Sequence, residues 1–182
     1  QCITPELPEF NAKLRYFRQT VPQSKALIEK TIFQDPHLER RRAGIFLLAY
    51  YANPQDINQI LMRLLDDKNH FIRHDALRVY GEMYPKTKNL KMPVQKILLS
   101  AHACDVGERN KALIVLSELA KEPQYRHALQ KDAHQFIELL KLKQPNNHLF
   151  AYDILTRISQ KNYSDTDISS WEHWASSYKY DS

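Results

Sequence analysis

Glycine is scarce in this chain: 3 of its 182 residues are glycine. β-Hairpin turns and glycine-rich phosphate loops depend on this residue, because a missing Cβ permits backbone angles and close approaches that other residues resist. The sequence therefore argues against hairpin-rich folds and against loops that cradle nucleotide phosphates. The 9 prolines are best interpreted as punctuation between helices.

Cysteines and long apolar runs are also few or missing. The 2 cysteines, Cys2 and Cys104, allow at most one disulfide, and they do not have the spacing of a metal site. No run of about 18 apolar residues occurs, so no transmembrane helix is predicted. Neither a cofactor motif nor a catalytic constellation stands out, and the sequence predicts no bound cofactor, no catalytic residue and no metal.

The first residues bear on localisation. The chain begins with Gln and has Cys at its second position, a start that removal of a secretory signal would leave. Few cysteines are compatible with either an oxidising or a reducing compartment. These features favour export, to a bacterial periplasm, over a cytoplasmic location.

Positive charge is concentrated in the first half of the chain. The formal net charge is +5; residues 1–91 contain 15 Lys/Arg against 10 Asp/Glu, whereas residues 92–182 contain 11 of each. Such an excess can attract an acidic partner, a phosphate backbone or an anionic membrane. An ordinary solvated helical surface is the simpler interpretation. Within the run Arg40-Arg41-Arg42, Arg41 and Arg42 are the candidates for an anion contact.

Helical periodicity runs through nearly the whole chain, without an alternating β pattern. Its clearest stripe is Ile57, Ile60, Leu61, Leu64 and Leu65, spaced i, i+3, i+4, i+7 and i+8. About ten helices are predicted in total, and short loops imply that consecutive helices pack antiparallel. They include helices over about 5–19 and 22–33, a third that ends near Tyr51, and an uninterrupted helix over about 124–142.

Four blocks of the form Arg/His-x-x-Ala recur along the chain. The alanines are spaced 33, 36 and 39 residues apart, and a two-helix unit of this length is typical of a helical solenoid. A small residue at this position lets the backbones of neighbouring repeats approach closely. The four pairs are Arg40 and Ala43, Arg73 and Ala76, Arg109 and Ala112, and His148 and Ala151.

The block Asp67–Met83, DKNHFIRHDALRVYGEM, resembles a HEAT repeat: an acidic loop residue precedes Ile-Arg, then Ala-Leu and a small residue. Asp105–Leu119 and Asp35–Leu48 are similar. The ending around Trp171 and Trp174 looks like the closing segment of many bacterial HEAT-repeat domains. The resemblance implies an all-α, right-handed α-α superhelix, a HEAT-like solenoid of about five antiparallel helix pairs. The implied division is one domain, 1–182, with a capping helix pair at 4–34 and repeats at 35–66, 67–103, 104–143 and 144–178.

In this family, loop acids and helix arginines form a ladder between repeats. Carried over, the resemblance implies three structural pairs: Asp35 with Arg40 or Arg41, Asp67 with Arg73, and Asp105 with Arg109. It also implies that Trp171 and Trp174 seal the final repeat, although two tryptophans three residues apart can instead form an aromatic platform for a ligand.

The expected function is a non-enzymatic scaffold that binds another protein, as part of a larger complex, along the concave face formed by the second helices. One alternative is nucleic-acid or anion binding through the basic first half; another is a HEAT-like enzyme, such as a lyase or DNA glycosylase. His70 and His74 have the i, i+4 spacing of metal ligands but lack a clear third one, so they remain partner contacts. The candidate partner-binding residues are Arg41, Arg42, Gln59, Arg63, His70, His74, Gln95, Lys96, His127, Lys131 and His134.

Overall fold

The computed structural model describes residues 8–87 and 90–177, and all regular secondary structure in these ranges is helical. The predicted all-α class is therefore confirmed. Three short 3₁₀ helices, Val21–Ser24, Leu48–Tyr50 and Tyr84–Lys86, accompany the α-helices. The α-helices are α1 (Pro8–Thr20), α2 (Lys25–Gln34), α3 (Leu38–Leu47), α4 (Pro54–Leu64), α5 (His70–Met83), α6 (Val94–Ala101), α7 (Val106–Ala120), α8 (Pro123–Gln130), α9 (Ala133–Leu140), α10 (Pro145–Ser159) and α11 (Ile168–Ser177).

Side-chain caps begin several of these helices. The side chain of Asn69 accepts a hydrogen bond from the backbone N–H of Phe71 (2.9 Å), and Asp105 accepts one from Glu108 (2.7 Å). Such caps satisfy N–H groups that have no partner inside the helix. Of the described helices, none is both long and apolar enough to cross a membrane.

The chain divides into two compact units, Gln1–Ile60 and Leu61–Ser182, and the boundary falls within α4. We refer to them as the N-terminal and C-terminal units. In the N-terminal unit, α2 packs against α3. The single repeat domain over 1–182 stays a prediction.

In the C-terminal unit, the helices that begin the predicted repeats lie side by side. Helix α5 packs against α7 and α7 against α10, while α6 contacts α7 and α9 contacts both α10 and α11. Ala76, Ala112 and Ala151 are fully buried. The alanines of these three blocks are therefore buried among the packed helices, as their size predicts.

Several predicted helix limits differ from those observed. The predicted helix over 124–142 is two helices, because α8 ends at Gln130 and α9 begins at Ala133. The intervening Lys131 and Asp132 form a turn, and neither is a glycine or proline that would signal a break. Helix α3 ends at Leu47, before the predicted limit at Tyr51, and a 3₁₀ turn follows it. A 3₁₀ turn also occupies the predicted start of the second helix, and residues 5–7 of the first lie outside the described residues.

In the first of the four sequence blocks, the buried small residue lies one position after the predicted one. Ala43 is exposed, whereas its neighbour Gly44 is buried and faces Ile32. Four residues later, Leu48 rather than Leu47 is fully buried. Gly44 therefore takes the place that Ala76 has in α5, and the basic residue three positions before it is Arg41.

The close packing at Gly44 gives the first prediction. A Cβ added there would lie 2.7 Å from Cγ1 of the fully buried Ile32, an atom in the middle of a side chain that cannot swing away. We expect Gly44→Ala to destabilise the protein by about 1–3 kcal/mol through overpacking. The measurement is urea unfolding followed by far-UV circular dichroism.

Gly81→Ala is the matched control. Gly81 is also a glycine within a helix, but its added Cβ would lie 3.4 Å from Cγ2 of Ile114, an ordinary contact. The gain in helix propensity should stabilise this variant by roughly 0.5–1 kcal/mol. Equal stabilisation of both variants would show that Gly44 is not a point of close approach.

Candidate functional site

In the three blocks of the C-terminal unit, the basic residue joins two neighbouring segments of that unit. Arg73 donates from Nε and Nη2 to the two carboxylate oxygens of Glu108, each at 2.7 Å, and from Nη1 to the backbone carbonyl of Asp67, also at 2.7 Å. Glu108 is 1% exposed, so its carboxylate depends on this bidentate pair. The hydrogen bonds to Glu108 raise the pKa of Arg73 above its ordinary value.

Arg109 repeats this arrangement one block later. Its Nη1 donates to the backbone carbonyl of Ala103 (2.9 Å). The amide of Asn147 is assigned with its oxygen toward Arg109, where it accepts from Nε (2.8 Å) and Nη2 (3.0 Å). Both arginines thus bind the loop before their own helix and a polar side chain at the start of the next block.

His148 takes the arginine position in the last block. Its Nδ1 lies 2.8 Å from the backbone carbonyl of Leu140, and its Nε2 lies 2.9 Å from the carboxylate of Asp165. The hydrogen bond with His148 lowers the pKa of Asp165 below its ordinary value. His148 thus contacts both the last residue of α9 and the segment before α11.

The acids of the implied ladder pairs in the C-terminal unit, Asp67 and Asp105, both precede a helix and accept a backbone hydrogen bond there. Asp67 binds Arg73 through its backbone carbonyl, while its carboxylate accepts from the backbone N–H of Asn69 (2.9 Å). The implied pair of Asp105 with Arg109 stays a prediction: the guanidinium of Arg109 binds Ala103 and Asn147. Asp105 directly precedes α7, and its carboxylate accepts from the backbone N–H of Glu108. This bond lowers the pKa of Asp105.

In the N-terminal unit, the implied roles of Arg40 and Arg41 are separated. Arg40 is largely exposed, with Nη1 3.8 Å from the carboxylate of Asp35. Arg41 donates from Nε to the backbone carbonyl of Ile32 (2.8 Å), much as Arg73 does to Asp67. Arg42 lies 3.3 Å from Glu39 on the same helix. Arg41 therefore has a structural hydrogen bond at the position predicted for an anion contact.

A cleft of about 260 Å³ opens beside the Arg73–Glu108 pair. Its walls come from the turn after α4, from α5 and α7, and from α6 with the residues that follow it. All of these belong to the C-terminal unit. The cleft is lined by Leu65, Asp66, Arg73, Lys96, Leu99, Ser100, Ala103 and Glu108.

The charged side chains that line the cleft form ion pairs with one another. Lys96 on α6 forms an ion pair with the carboxylate of Asp66, and its Nζ also donates to the backbone carbonyl of Met62 (3.1 Å). These bonds fix the side chain of Lys96 along one wall. The Arg73–Glu108 pair also lines the cleft, so both of its charged pairs are neutralised and its other walls include Leu65, Leu99 and Ala103.

Leu99 is the most exposed large hydrophobic side chain of the described residues, at 73%. It lies outside the buried stripe of α6, and the helical spacing places it on one face with Gln95 and Lys96. Gln95 and Lys96 on this face are predicted partner contacts, whereas Leu99 is not among them. The spacing of α6 would have identified Leu99 as well, because a leucine that is out of phase with the apolar stripe of a helix is expected to be exposed.

The other predicted contacts on α4, α8 and α9 do not line the cleft. Arg63 is exposed on α4, and His127, Lys131 and His134 are exposed on α8, the following turn and α9. None of these four lines the cleft. Gln59, Arg41 and Arg42 belong to the N-terminal unit.

His70 and His74 lie on α5 beside the start of α7. The Nδ1 of His70 is 3.7 Å from the carboxylate of Asp105, and Nδ1 of His74 is 2.9 Å from that of the buried Asp75. Within 8–87 and 90–177, no group of three or more His, Cys, Asp or Glu side chains is arranged to hold a metal ion. The two histidines thus contact carboxylates of their own unit.

Trp171 is fully buried at the end of the C-terminal unit. Its Nε1 donates to the backbone carbonyl of Ser164 (2.9 Å). The rings of Tyr152, Tyr163 and Trp174 surround it edge-on, with centroids 6.3, 5.1 and 6.3 Å away. Trp174 is also buried, so these rings face one another rather than a ligand.

Comparisons with protein-family models, with curated proteins and with solved structures find no match to this chain.

Proposed function

We propose that this chain is a non-enzymatic protein-binding module, and that a segment of another protein inserts an apolar side chain into the cleft beside Leu99. The observation that carries the proposal is the highly exposed Leu99 at the cleft, on the same face of α6 as Gln95 and Lys96. An exposed leucine beside a preformed cleft is typical of an interface, where a few central apolar side chains supply most of the binding energy.

The size of the cleft favours a protein segment over a small molecule. Pockets for small molecules usually have volumes of about 300–1,000 Å³, whereas this cleft measures about 260 Å³. One large side chain fills such a space. The paired charges of Lys96 and Asp66 then form a polar rim around it.

The finer architecture belongs to the same proposal: a right-handed, HEAT-like superhelix whose concave face includes α6. Support comes from the packing of α5, α7 and α10 on one another and from their buried alanines. The recurring bonds of Arg73, Arg109 and His148 support it further. In such an arrangement the second helices offer a continuous surface for a partner.

An enzyme of the glycosylase type has less support. Such an enzyme needs a carboxylate beside an aromatic ring in a deep cleft. The carboxylates of this cleft, Asp66 and Glu108, are paired with Lys96 and Arg73, and no residue that lines it is aromatic.

Site-specific photo-crosslinking in the native cell tests the proposed function. A benzophenone amino acid in place of Leu99 should yield a discrete crosslinked protein. The same substitution at Leu149, a leucine exposed on α10, is the control and should not yield it. Ala103→Trp, which fills the cleft, should abolish the product at position 99. Identical products at both positions, or none at position 99, would contradict the proposal.

A further inference from the structure

Helix α1 places aromatic and basic side chains on one face. Phe10, Leu14 and Phe17 are spaced i, i+4 and i+7, so they share a face of the helix. At 100° per residue around the helix axis, Lys13 lies about 40° beyond Phe17, and Arg18 lies about 40° beyond Leu14. We call these five residues the aromatic–basic face.

Four of the five residues of this face are exposed, and Leu14 is half-buried. Phe10 is 58% exposed and Phe17 is 36% exposed, and Lys13 and Arg18 are exposed as well. Phe17 meets Tyr50 with ring centroids 5.6 Å apart, so the end of the face nearer Phe10 is the more open one. Aromatic rings exposed in this way present apolar surface that association with a partner would remove from water.

The charge of α1 selects the kind of partner. Lys13, Arg15 and Arg18 against the single acid Glu9 give the helix a charge of +2. Apolar rings flanked by long basic side chains match an anionic lipid surface, where the rings enter the boundary between headgroups and acyl chains. The basic groups then reach back to the phosphates. A nucleic-acid backbone would use the basic residues but would leave the exposed ring of Phe10, at the centre of the face, without a role.

We propose that α1 binds the surface of an anionic bilayer, with Phe10 and Phe17 in the interface and Lys13 and Arg18 on lipid phosphates. This function is separate from the protein-binding cleft, because it uses other residues in the other unit of the chain. Either proposal can therefore fail without the other.

Vesicle co-sedimentation of the full chain tests the proposal. The vesicles contain phosphatidylcholine alone, or phosphatidylcholine with about one third phosphatidylserine. The chain should sediment with the anionic vesicles, less so as salt increases, and not with the neutral ones. Arg18→Gln should weaken binding about fivefold and Phe10→Ser about tenfold, whereas Phe10→Trp should preserve it, since tryptophan favours the membrane interface.

Matched controls come from the C-terminal unit. Leu149 is 60% exposed, close to the value for Phe10, and Lys131 is an exposed basic residue. Leu149→Ser and Lys131→Gln should sediment like the unchanged chain. Circular dichroism checks that each variant is folded, which we expect because all of the substituted side chains are more than one-third exposed.

Three results would overturn the proposal. The first is no sedimentation with anionic vesicles at low salt. The second is anionic-vesicle binding that Phe10→Ser leaves unchanged, because the apolar face would then have no part in it. The third is that the chain binds duplex DNA and does not bind vesicles, with Arg18→Gln weakening the DNA binding and Phe10→Ser leaving it unchanged. The basic residues would then bind a nucleic acid rather than lipid phosphates.

Discussion

Arg73→Met should lower the free energy of unfolding by about 3–5 kcal/mol, because it leaves a buried carboxylate without its partner. Glu108 is almost completely buried, and both of its carboxylate oxygens accept hydrogen bonds from Arg73. The same substitution removes the donor to the backbone carbonyl of Asp67. Urea unfolding followed by far-UV circular dichroism measures the loss.

Two further variants show whether the uncompensated charge is the cause. Arg73→Met combined with Glu108→Leu removes both charges and should recover most of the lost stability, since an apolar pair can replace a buried ion pair at little cost. Lys141→Met breaks an exposed pair with Glu138 and should behave like the unchanged chain. A double variant as unstable as Arg73→Met alone would contradict this explanation.

Trp171→Ala should cost about 3–5 kcal/mol, because it removes the largest fully buried side chain and leaves a cavity among three aromatic rings. Trp171→Phe should cost less, since it keeps most of the apolar volume and loses the hydrogen bond to Ser164. Both values come from the same urea unfolding measurement.

The tryptophan variants also separate the two roles considered for this pair. A ligand platform can lose its ring with little change in stability, whereas a core residue cannot. Leu149→Ala, at an exposed position on α10, is the control and should leave the unfolding free energy within about 0.5 kcal/mol. A similarly small effect of Trp171→Ala would favour the platform.

In the C-terminal unit the sequence predicts the helical class and the buried alanines, because spacing and residue size determine both, but it does not predict the break between α8 and α9. It does not resolve the register of α3. Three consecutive arginines stand before two small residues, Ala43 and Gly44, so two alignments fit the pattern equally well. Gly44 itself indicates the correct register. A glycine inside a helix costs about 1 kcal/mol of stability, and a close packing contact is a common reason for its presence there.

The partner of Arg73 shows a different limit of sequence analysis. The loop acid Asp105 and the helix acid Glu108 both lie about one block after Arg73 along the chain, where a partner of Arg73 is expected. The carboxylate of Asp105 caps α7, and Arg73 pairs with Glu108. Glu108 is spaced i, i+4 with the buried Ala112, and a charged residue in the apolar register of a helix predicts a buried partner. The cleft beside this pair is a product of packing, which spacing alone does not reveal.

The burial of Trp171 and Trp174 has a spectroscopic consequence. They are the 2 tryptophans of the chain, and both belong to the C-terminal unit. Their fluorescence therefore reports on that unit, while the peptide absorption measured by circular dichroism reports on every helix. If denaturation curves from the two signals coincide, the N-terminal and C-terminal units unfold together; if the curves separate, the units are independent. Fluorescence and circular dichroism of the unlabelled protein can therefore show whether the two units unfold as one cooperative domain.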